Sequence, residues 1–362
     1  MAQDSVDSSV GTGRAAAAAE PLDELDLALV HALQVAPRAP WSGLAPVLGV
    51  DAVTLARRWR RLSASGRAWV TCYAGPGRGA GGPGCLALVE LAVERGALAA
   101  VRDTLTRDAQ AVSVEHVSDG RDLLLTVGAP DAAALSAYMQ QRLSHVPGVV
   151  SVRPHLVTRL YQEGAAWRLR ALDAGQQRTL GTASDETPRD RRVTAVDRAL
   201  VLALGRDARA PVNALARNVG VSPATAARRV AWLIGSGHAR LRCEVAHTLS
   251  GWPVTALWWL RVPPPDLDEV GRRLAAHADV RMSAAVTGPA NLYAAMWLRS
   301  LGDLPAFEAD LIRRYPRVEV LDRTVVLDSA KRIGRILAAD GRCVGYVPMK
   351  LWEGEDGPPS AP

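Results

Sequence analysis

Shifted by 171 residues, the chain matches itself without a gap: residues 22–73 fall on 193–244 with 22 identities in 52 pairs. Chance would give only a few, so the unit is duplicated. A repeated unit of this length constrains the fold more than any other feature, because whatever one copy buries the other must bury too. The matched pairs include Asp26 with Asp197, Pro40 with Pro211, Gly49 with Gly220, Thr54 with Thr225, Leu62 with Leu233 and Cys72 with Cys243. Arg57-Arg58 meets Arg228-Arg229, and Ser65-Gly66 meets Ser236-Gly237. Further on the match weakens and the offset becomes 169, pairing Val117 with Val286, Leu123 with Leu292 and Pro147 with Pro316. The slip falls in the Gly/Pro-rich stretch 75–84, where a change of loop length costs little. Each half thus has a well-matched front module and a diverged rear module.

Composition bounds what these modules do. Of 362 residues, 48% are apolar and 22% charged, which excludes a wholly disordered chain. The longest apolar runs are far shorter than the ~20 residues that span a bilayer, so a soluble chain without membrane contact is expected. The alanine run at 15–19 is followed by Glu20 and Pro21 and is too short for a signal peptide, which predicts a cytoplasmic location. Cys72, Cys85, Cys243 and Cys343 form no CxxC pair, and the seven histidines show no HxH or HExxH spacing, so no metal site is expected. No nucleophile elbow or P-loop is present, and no catalytic residue or cofactor is assigned. The net charge is +6, carried almost wholly by arginine, with Lys331 and Lys350 the only lysines. Such a bias also follows from a GC-rich genome, so the position of the arginines matters more than their number.

In the front module, Leu22, Leu25, Leu29, Ala32 and Leu33 recur at helical spacing, and Pro37 and Pro40 end that helix. Ser42 is a candidate cap for a short second helix, in which Pro46 threatens a kink, and Gly49 makes a turn. Asp51 then caps a third helix over 52–64 that stops at Gly66. The second copy repeats the plan with Asn213 and Ser222 as caps, Pro223 at the first helical position and Gly237 at the stop. Short helix, tight turn and longer helix make a helix-turn-helix. Leu55, Trp59 and Leu62 form the inward stripe of the third helix, as do Ala226, Val230 and Leu233 in copy two. Thr54, Arg57, Arg58 and Arg61 fall on the other side, as do Thr225, Arg228 and Arg229, with Trp232 where Arg61 stood. A helix bearing arginine on this face suits the DNA major groove. The competing reading is a solvated arginine face on a three-helix bundle.

The rear module reads as strand 85–93, helix 96–107, strands 111–117 and 122–127, helix 131–144 and strand 149–157. Copy two repeats the order at 254–262, 267–276, 280–287, 291–298, 303–314 and 318–327. Two helices on one face of a four-stranded antiparallel sheet give a ferredoxin-like βαββαβ fold with the other face bare. Trp258, Trp259 and Trp297 lie in these strands, and a bare apolar face needs a partner. The expected class is therefore α+β: winged, three-helix helix-turn-helix domains alternating with ferredoxin-like domains, duplicated in one chain. The boundaries are 21–73 and 193–245 for the helix-turn-helix domains and 85–160 and 253–330 for the ferredoxin-like domains. Residues 1–20 are expected to be disordered. A linker spans 161–192, with a short helix at 165–172 and a charged run at 189–192, and a partly disordered extension spans 331–362.

The pattern LDELDLALVHAL…LGV…RRWRRL…SG, with its second copy VTAVDRALVLAL…VGVSPATAARRVAWL…SG, resembles the Lrp/AsnC family of bacterial transcription regulators. The resemblance covers about 22–160 and 193–330. It implies double-stranded DNA as partner, homo-oligomers, and a chain that fuses into one polypeptide a dimer paired through bare sheet faces. The family also implies a small effector, often an amino acid, near a turn of the form V-T-G-x-x-D-L. Here the turns hold Ser118, Gly120 and Asp122, and Thr287, Gly288 and Asn291. Copy one keeps the aspartate but has Asp119 for the glycine; copy two keeps the glycine but has Asn291 for the aspartate. Two hairpin turns that hold nothing are the other reading. Siroheme decarboxylases resemble the same two-module architecture, and that alternative would recruit His116, His155, Arg121 and Arg153 around a tetrapyrrole.

Overall fold

The computed structural model describes residues 22–75, 84–181 and 192–352. Residues 1–20, most of the 75–84 joint, the 189–191 charges and the tail from Gly354 lie outside them. The first half contains α1 (Glu24–Val35), α2 (Trp41–Leu48), α3 (Ala52–Ala64) and β1 (Ala68–Ala74). Its rear module follows as β2 (Cys85–Val93), α4 (Leu98–Leu105), β3 (Ala111–Val117), β4 (Leu123–Ala129), α5 (Ala132–Ala137) and β5 (Val149–Gln162). After α6 (Ala174–Leu180) the plan recurs in α7 (Ala195–Arg206), α8 (Val212–Val219), α9 (Pro223–Gly235) and β6 (Ala239–Val245). The second rear module is β7 (Val254–Arg261), α10 (Leu267–Ala275), β8 (Val280–Val286), β9 (Leu292–Leu298), α11 (Asp303–Arg314) and β10 (Glu319–Arg332). Two short strands, β11 (Arg335–Leu337) and β12 (Cys343–Tyr346), follow.

The duplication becomes a pseudo-two-fold. β1 and β6 pair antiparallel from Ala68–Val245 to Ala74–Ala239, with Thr71 opposite Arg242 at the centre. Those two residues are themselves repeat mates, so the axis passes between them. The two front modules share one core, in which Leu29, Leu33, Leu55 and Leu62 join Leu200, Leu204, Leu215 and Leu233. Arg38 donates to the Ala208 and Ala210 carbonyls, and its mate Arg209 donates to those of Pro37 and Ala39. Each copy thereby satisfies the turn of the other.

The rear modules close on each other. Each sheet has the ferredoxin-like strand order, β5-β2-β4-β3 and β10-β7-β9-β8. β5 pairs with β8 and β10 with β3, so eight strands form a complete ring. The bare faces are thereby turned inward and no sheet edge of the ring is left for another chain. Side chains alternate as the strand period requires. Val89, Leu91 and Leu125 pack under the helices of copy one, and Trp258, Leu260 and Met296 under those of copy two. Leu88, Leu124, Leu257, Trp259 and Tyr293 meet inside the ring. Of the three tryptophans, Trp258 lies against Phe307 on the helix side, whereas Trp259 and Trp297 face inward.

Three local expectations are corrected. Ser42 and Asn213 do not cap: α2 and α8 begin after Pro40 and Pro211, with no side-chain cap. Pro46 does not shorten α2, which has the same eight residues as α8, because tertiary packing of Leu44 and its neighbours holds so short a helix. Residues 165–172 are not helical. Trp167, Leu169 and Leu172 are buried there, and the Leu169 and Leu172 N–H groups are taken by Gln34 and His31. The helix starts at Ala174, beyond the expected span, where Asp173 and Gln176 form a capping box. The second helix of the first rear module also continues past α5 as a π-turn over Tyr138–Arg142.

Burial, with Arg168 nearby, holds the His31 imidazole down at about 4, and burial likewise depresses His247. The unfolded chain takes up these protons near 6.5, so it binds more protons than the fold between about 6.5 and 4. Stability is full above that window and falls as pH drops through it. Tm is expected to fall by roughly 3–6 °C from pH 7 to pH 5, and His31→Gln to flatten the decline, as read by differential scanning calorimetry.

Candidate DNA-binding helices and ligand cavity

α3 and α9 are fixed at both ends by the residues the sequence singled out. The Asp51 carboxylate accepts from the Thr54 N–H at 2.9 Å and the Ser222 hydroxyl from the Thr225 N–H at 3.2 Å. Gly49 and Gly220 take left-handed φ values of 66° and 69°, which sets the turn before each helix. The inward stripes are buried: Leu55, Trp59 and Leu62 in one copy, Ala226, Val230 and Leu233 in the other. Trp232 is buried as well.

The arginines divide into two groups. Arg58 donates to Asp23 at 2.6 Å and to Asp26 at 2.9 Å, and Arg61 to Asp26 at 2.6 Å. Arg229 bonds Asp197 at 2.8 Å and Thr194. These three clamp the third helix onto the start of the first. Asp26 and Asp197 are 2% and 0% exposed; Asp26 is held by Arg58 and Arg61, and Asp197 by Arg229 with the Thr194 N–H and hydroxyl. The sequence held the signal: Asp26 and Arg58 recur together in copy two. Arg57 and Arg228 are exposed and make no ion pair with a described residue. Thr54 and Thr225 are half-buried beside them. Arg229→Ala is expected to lower the unfolding free energy by about 1–3 kcal/mol, because buried Asp197 would lose its counter-charge and keep only its bonds from Thr194, measured by urea denaturation.

The two turns hold the seam between the copies. Ser118 exchanges hydrogen bonds with Val325 through its N–H and hydroxyl oxygen, and its mate Thr287 does the same with Leu156. Asp122 accepts from the Val93 N–H at 2.6 Å, and its mate Asn291 accepts from the Val262 N–H at 2.8 Å. Asn291 substitutes for the aspartate in this bond without loss. Gly120 has open space where a Cβ would stand. At Gly288, with φ at 115°, a Cβ would lie 2.8 Å from His155 Nδ1. Where copy two sets Gly288 beneath His155, copy one sets Asp119 beneath Thr324, which bonds it at 2.5 Å. Of the six residues, Ser118, Thr287 and Gly288 thus meet the other copy, Asp122 and Asn291 tie each turn to its own sheet, and Gly120 faces open space.

Arg121, Arg153 and His155 gather on Glu90 at 2.7, 3.6 and 3.3 Å. Arg121 also bonds Asp119 and Asp322, and His155 packs on Trp259. This network fills the end of the ring beside the turns. His116 lies on β3, opposite Leu123, apart from it.

At the other end, between the ring, the β1–β6 ribbon and the segment with Met349 and Leu351, is a cavity of about 310 Å³. Sequence reasoning missed it. Its walls include Leu86, Leu257, Tyr293, Met296, Met349 and Leu351. Arg242, Arg281 and Arg332 reach it from β6, β8 and β10, all buried. Behind them Glu244 takes Arg242 and, at 2.6 Å, Arg281. Burial alone would raise the Glu244 carboxyl, but the three guanidiniums overcome it and hold it at about 2. Burial pulls Arg281 down to about 9 against the pull of Glu244. Arg281 lies 3.5 Å from the centre of the Trp297 ring. Arg332 bonds Ser329 at 2.9 Å and stands 4.0 Å from Glu115, whose carboxyl burial pushes up.

Two helix-turn-helix modules on one ribbon, above a pair of closed ferredoxin-like modules, define a duplicated DNA-binding and ligand-binding architecture. The AsnC-type helix-turn-helix domain matches at 22–63 and 193–234, and the Lrp/AsnC ligand binding domain at 86–167. The chain thus carries two AsnC-type helix-turn-helix domains and an Lrp/AsnC ligand binding domain, with the helix-turn-helix in tandem. No curated protein matches it. Among solved structures, the siroheme decarboxylase NirDL in complex with an iron-uroporphyrin III analogue is 14% identical, with TM-score 0.54, over 86% of this chain and 93% of that one. AsnC of E. coli is 22% identical, with TM-score 0.35, over 38% of this chain and 94% of that one. A Neisseria meningitidis transcriptional regulator in complex with L-Met is 18% identical, with TM-score 0.32, over 38% and 90%.

Proposed function

We propose that the chain is a sequence-specific DNA-binding transcription regulator whose paired rear modules receive a small-molecule effector. The observation that carries this reading is the equivalent exposure of Arg57 and Arg228 on α3 and α9, held on modules related by one pseudo-two-fold. Arg57 and Arg228, with Thr54 and Thr225 beside them, would meet base edges and phosphates. Arg58, Arg61 and Arg229 would position those helices and add positive field. Self-association, which the family resemblance implies, has no bare sheet face to use, since both are inside the ring.

The enzyme reading draws on the decarboxylase fold, and fold alone does not carry chemistry. Of the four residues it would recruit, Arg121, Arg153 and His155 are engaged by Glu90, and none of the four lines the cavity. Selection of bound duplexes from a random pool tests the regulator reading. The expected result is a site of two related halves, their centres about one helical turn or a small multiple of it apart. Enrichment of no sequence would contradict it.

A further inference from the structure

We propose that the cavity at the ribbon end of the ring is a binding site for one small organic acid with an apolar body, its carboxylate seated on Arg281, Arg332 and the Thr255 hydroxyl. The site is distinct from the turns that hold Ser118 and Thr287. Three observations carry it.

First, three buried guanidiniums, those of Arg242, Arg281 and Arg332, line the space together. Arg159, Arg242, Arg281 and Arg332 line it, against Glu115 and Glu163. Arg159 is spent on Asp268, outside. Glu163 is taken by the Tyr73 hydroxyl at 2.6 Å, and Arg332 comes no nearer to Glu115 than 4.0 Å. Glu244 serves two guanidiniums with one oxygen, so a further carboxylate in the space would find guanidinium donors already gathered there. A planar guanidinium suits a carboxylate.

Second, the Thr255 side chain lines the same space, is 5% exposed, and its hydroxyl has no hydrogen-bond partner. Buried hydroxyls are rarely left so, and this one is a ready donor for a carboxylate oxygen. Third, most of the remaining lining is apolar, with Ser113, Thr126 and Thr158 the exceptions beside the Tyr73 hydroxyl, and the volume is at the small end of the range for ligand pockets. A compact hydrocarbon or aromatic body fits it, while a polar or highly charged one strands its own groups.

The site exists once, although the chain is duplicated. The repeat mates of Arg242, Arg281 and Thr255 are Thr71, Val112 and Leu86, and Glu163 is the mate of Arg332. Leu86, Val112 and Glu163 line the same cavity, so the pseudo-two-fold runs through it and divergence of the copies has put the arginines and Thr255 on one side. Arg242 and Tyr73 belong to the ribbon that carries both helix-turn-helix modules, so an occupant touches the joint between ring and front modules.

Isothermal titration of the full chain with octanoate, 4-phenylbutyrate and indole-3-acetate tests this, with octanamide as the neutral control. At least one acid is expected to bind at one per chain, at least about tenfold tighter than the amide, given the strength of hydrogen bonds to charged groups. Thr255→Val should weaken it several-fold. Ala295→Leu, which puts bulk into the cavity away from the arginines, should abolish it while the thermal transition persists. Absence of binding by every acid at about 5 mM would overturn the proposal, as would equal affinity for the amide or undiminished binding by Ala295→Leu. None of these readouts involves DNA, so their failure leaves the regulator reading intact.

Discussion

Replacing Glu244 by Gln is expected to destabilise the whole chain by about 3–5 kcal/mol, the cost of breaking a buried ion pair from one side. Glu244 is 2% exposed and the counter-charge to Arg242 and Arg281. Glutamine keeps the shape and one acceptor but withdraws the charge, and leaves guanidiniums buried between Trp297 and Trp167 without a full partner. Guanidinium chloride denaturation followed by tryptophan fluorescence would show the midpoint fall with little change in slope. A restoring second change is also expected: Arg281→Met in the Glu244→Gln background should recover part of the loss, because it removes one of the two buried guanidiniums left without a counter-charge. A double variant as unstable as the sum of its parts would contradict this account of the cluster.

The second large effect concerns DNA. Arg57→Ala with Arg228→Ala is expected to weaken operator binding by about 2–6 kcal/mol, at about 1–3 kcal/mol for each arginine that reaches a base edge. Both side chains are exposed and outside every ion pair among the described residues, so folding should change by less than about 0.5 kcal/mol. Arg229→Ala behaves in the opposite way and loses stability first. Comparing these neighbouring arginines separates contact with DNA from support of the helix. Each single variant should weaken binding if both copies meet the same duplex.

Much of this was legible in the sequence because a repeat fixes a symmetry. The helix-turn-helix stripe, the Asp51 and Ser222 caps and the βαββαβ order followed from period and turn chemistry. The pairing of bare faces followed from having two of them. What period cannot show is which polar face is spent internally. Arg58 and Arg229 read as solvent-facing, yet each sits within reach of the carboxylate that opens its own first helix. Asp122 and Asn291 read as ligand groups, yet each ties its turn to the strand beside it. The 165–172 segment has helical composition, but Gln34 and His31 claim its N–H groups. The cavity was hidden for another reason. Arg242, Arg281 and Arg332 come from three strands far apart in sequence, and only the ring brings them together. Their one trace was a failure of the repeat, since their mates are Thr71, Val112 and Glu163.

The most direct test of the central claim, that one chain reads DNA with both arginine-bearing helices, is the salt dependence of its affinity for the selected site. Measured by fluorescence anisotropy from about 50 to about 200 mM salt, log K against log salt should fall with a slope near −5 if about six phosphates are neutralised. The Arg57→Ala, Arg228→Ala variant should lie lower and run shallower by about 2. Coincident lines for the two proteins, or affinity that ignores salt, would contradict the account.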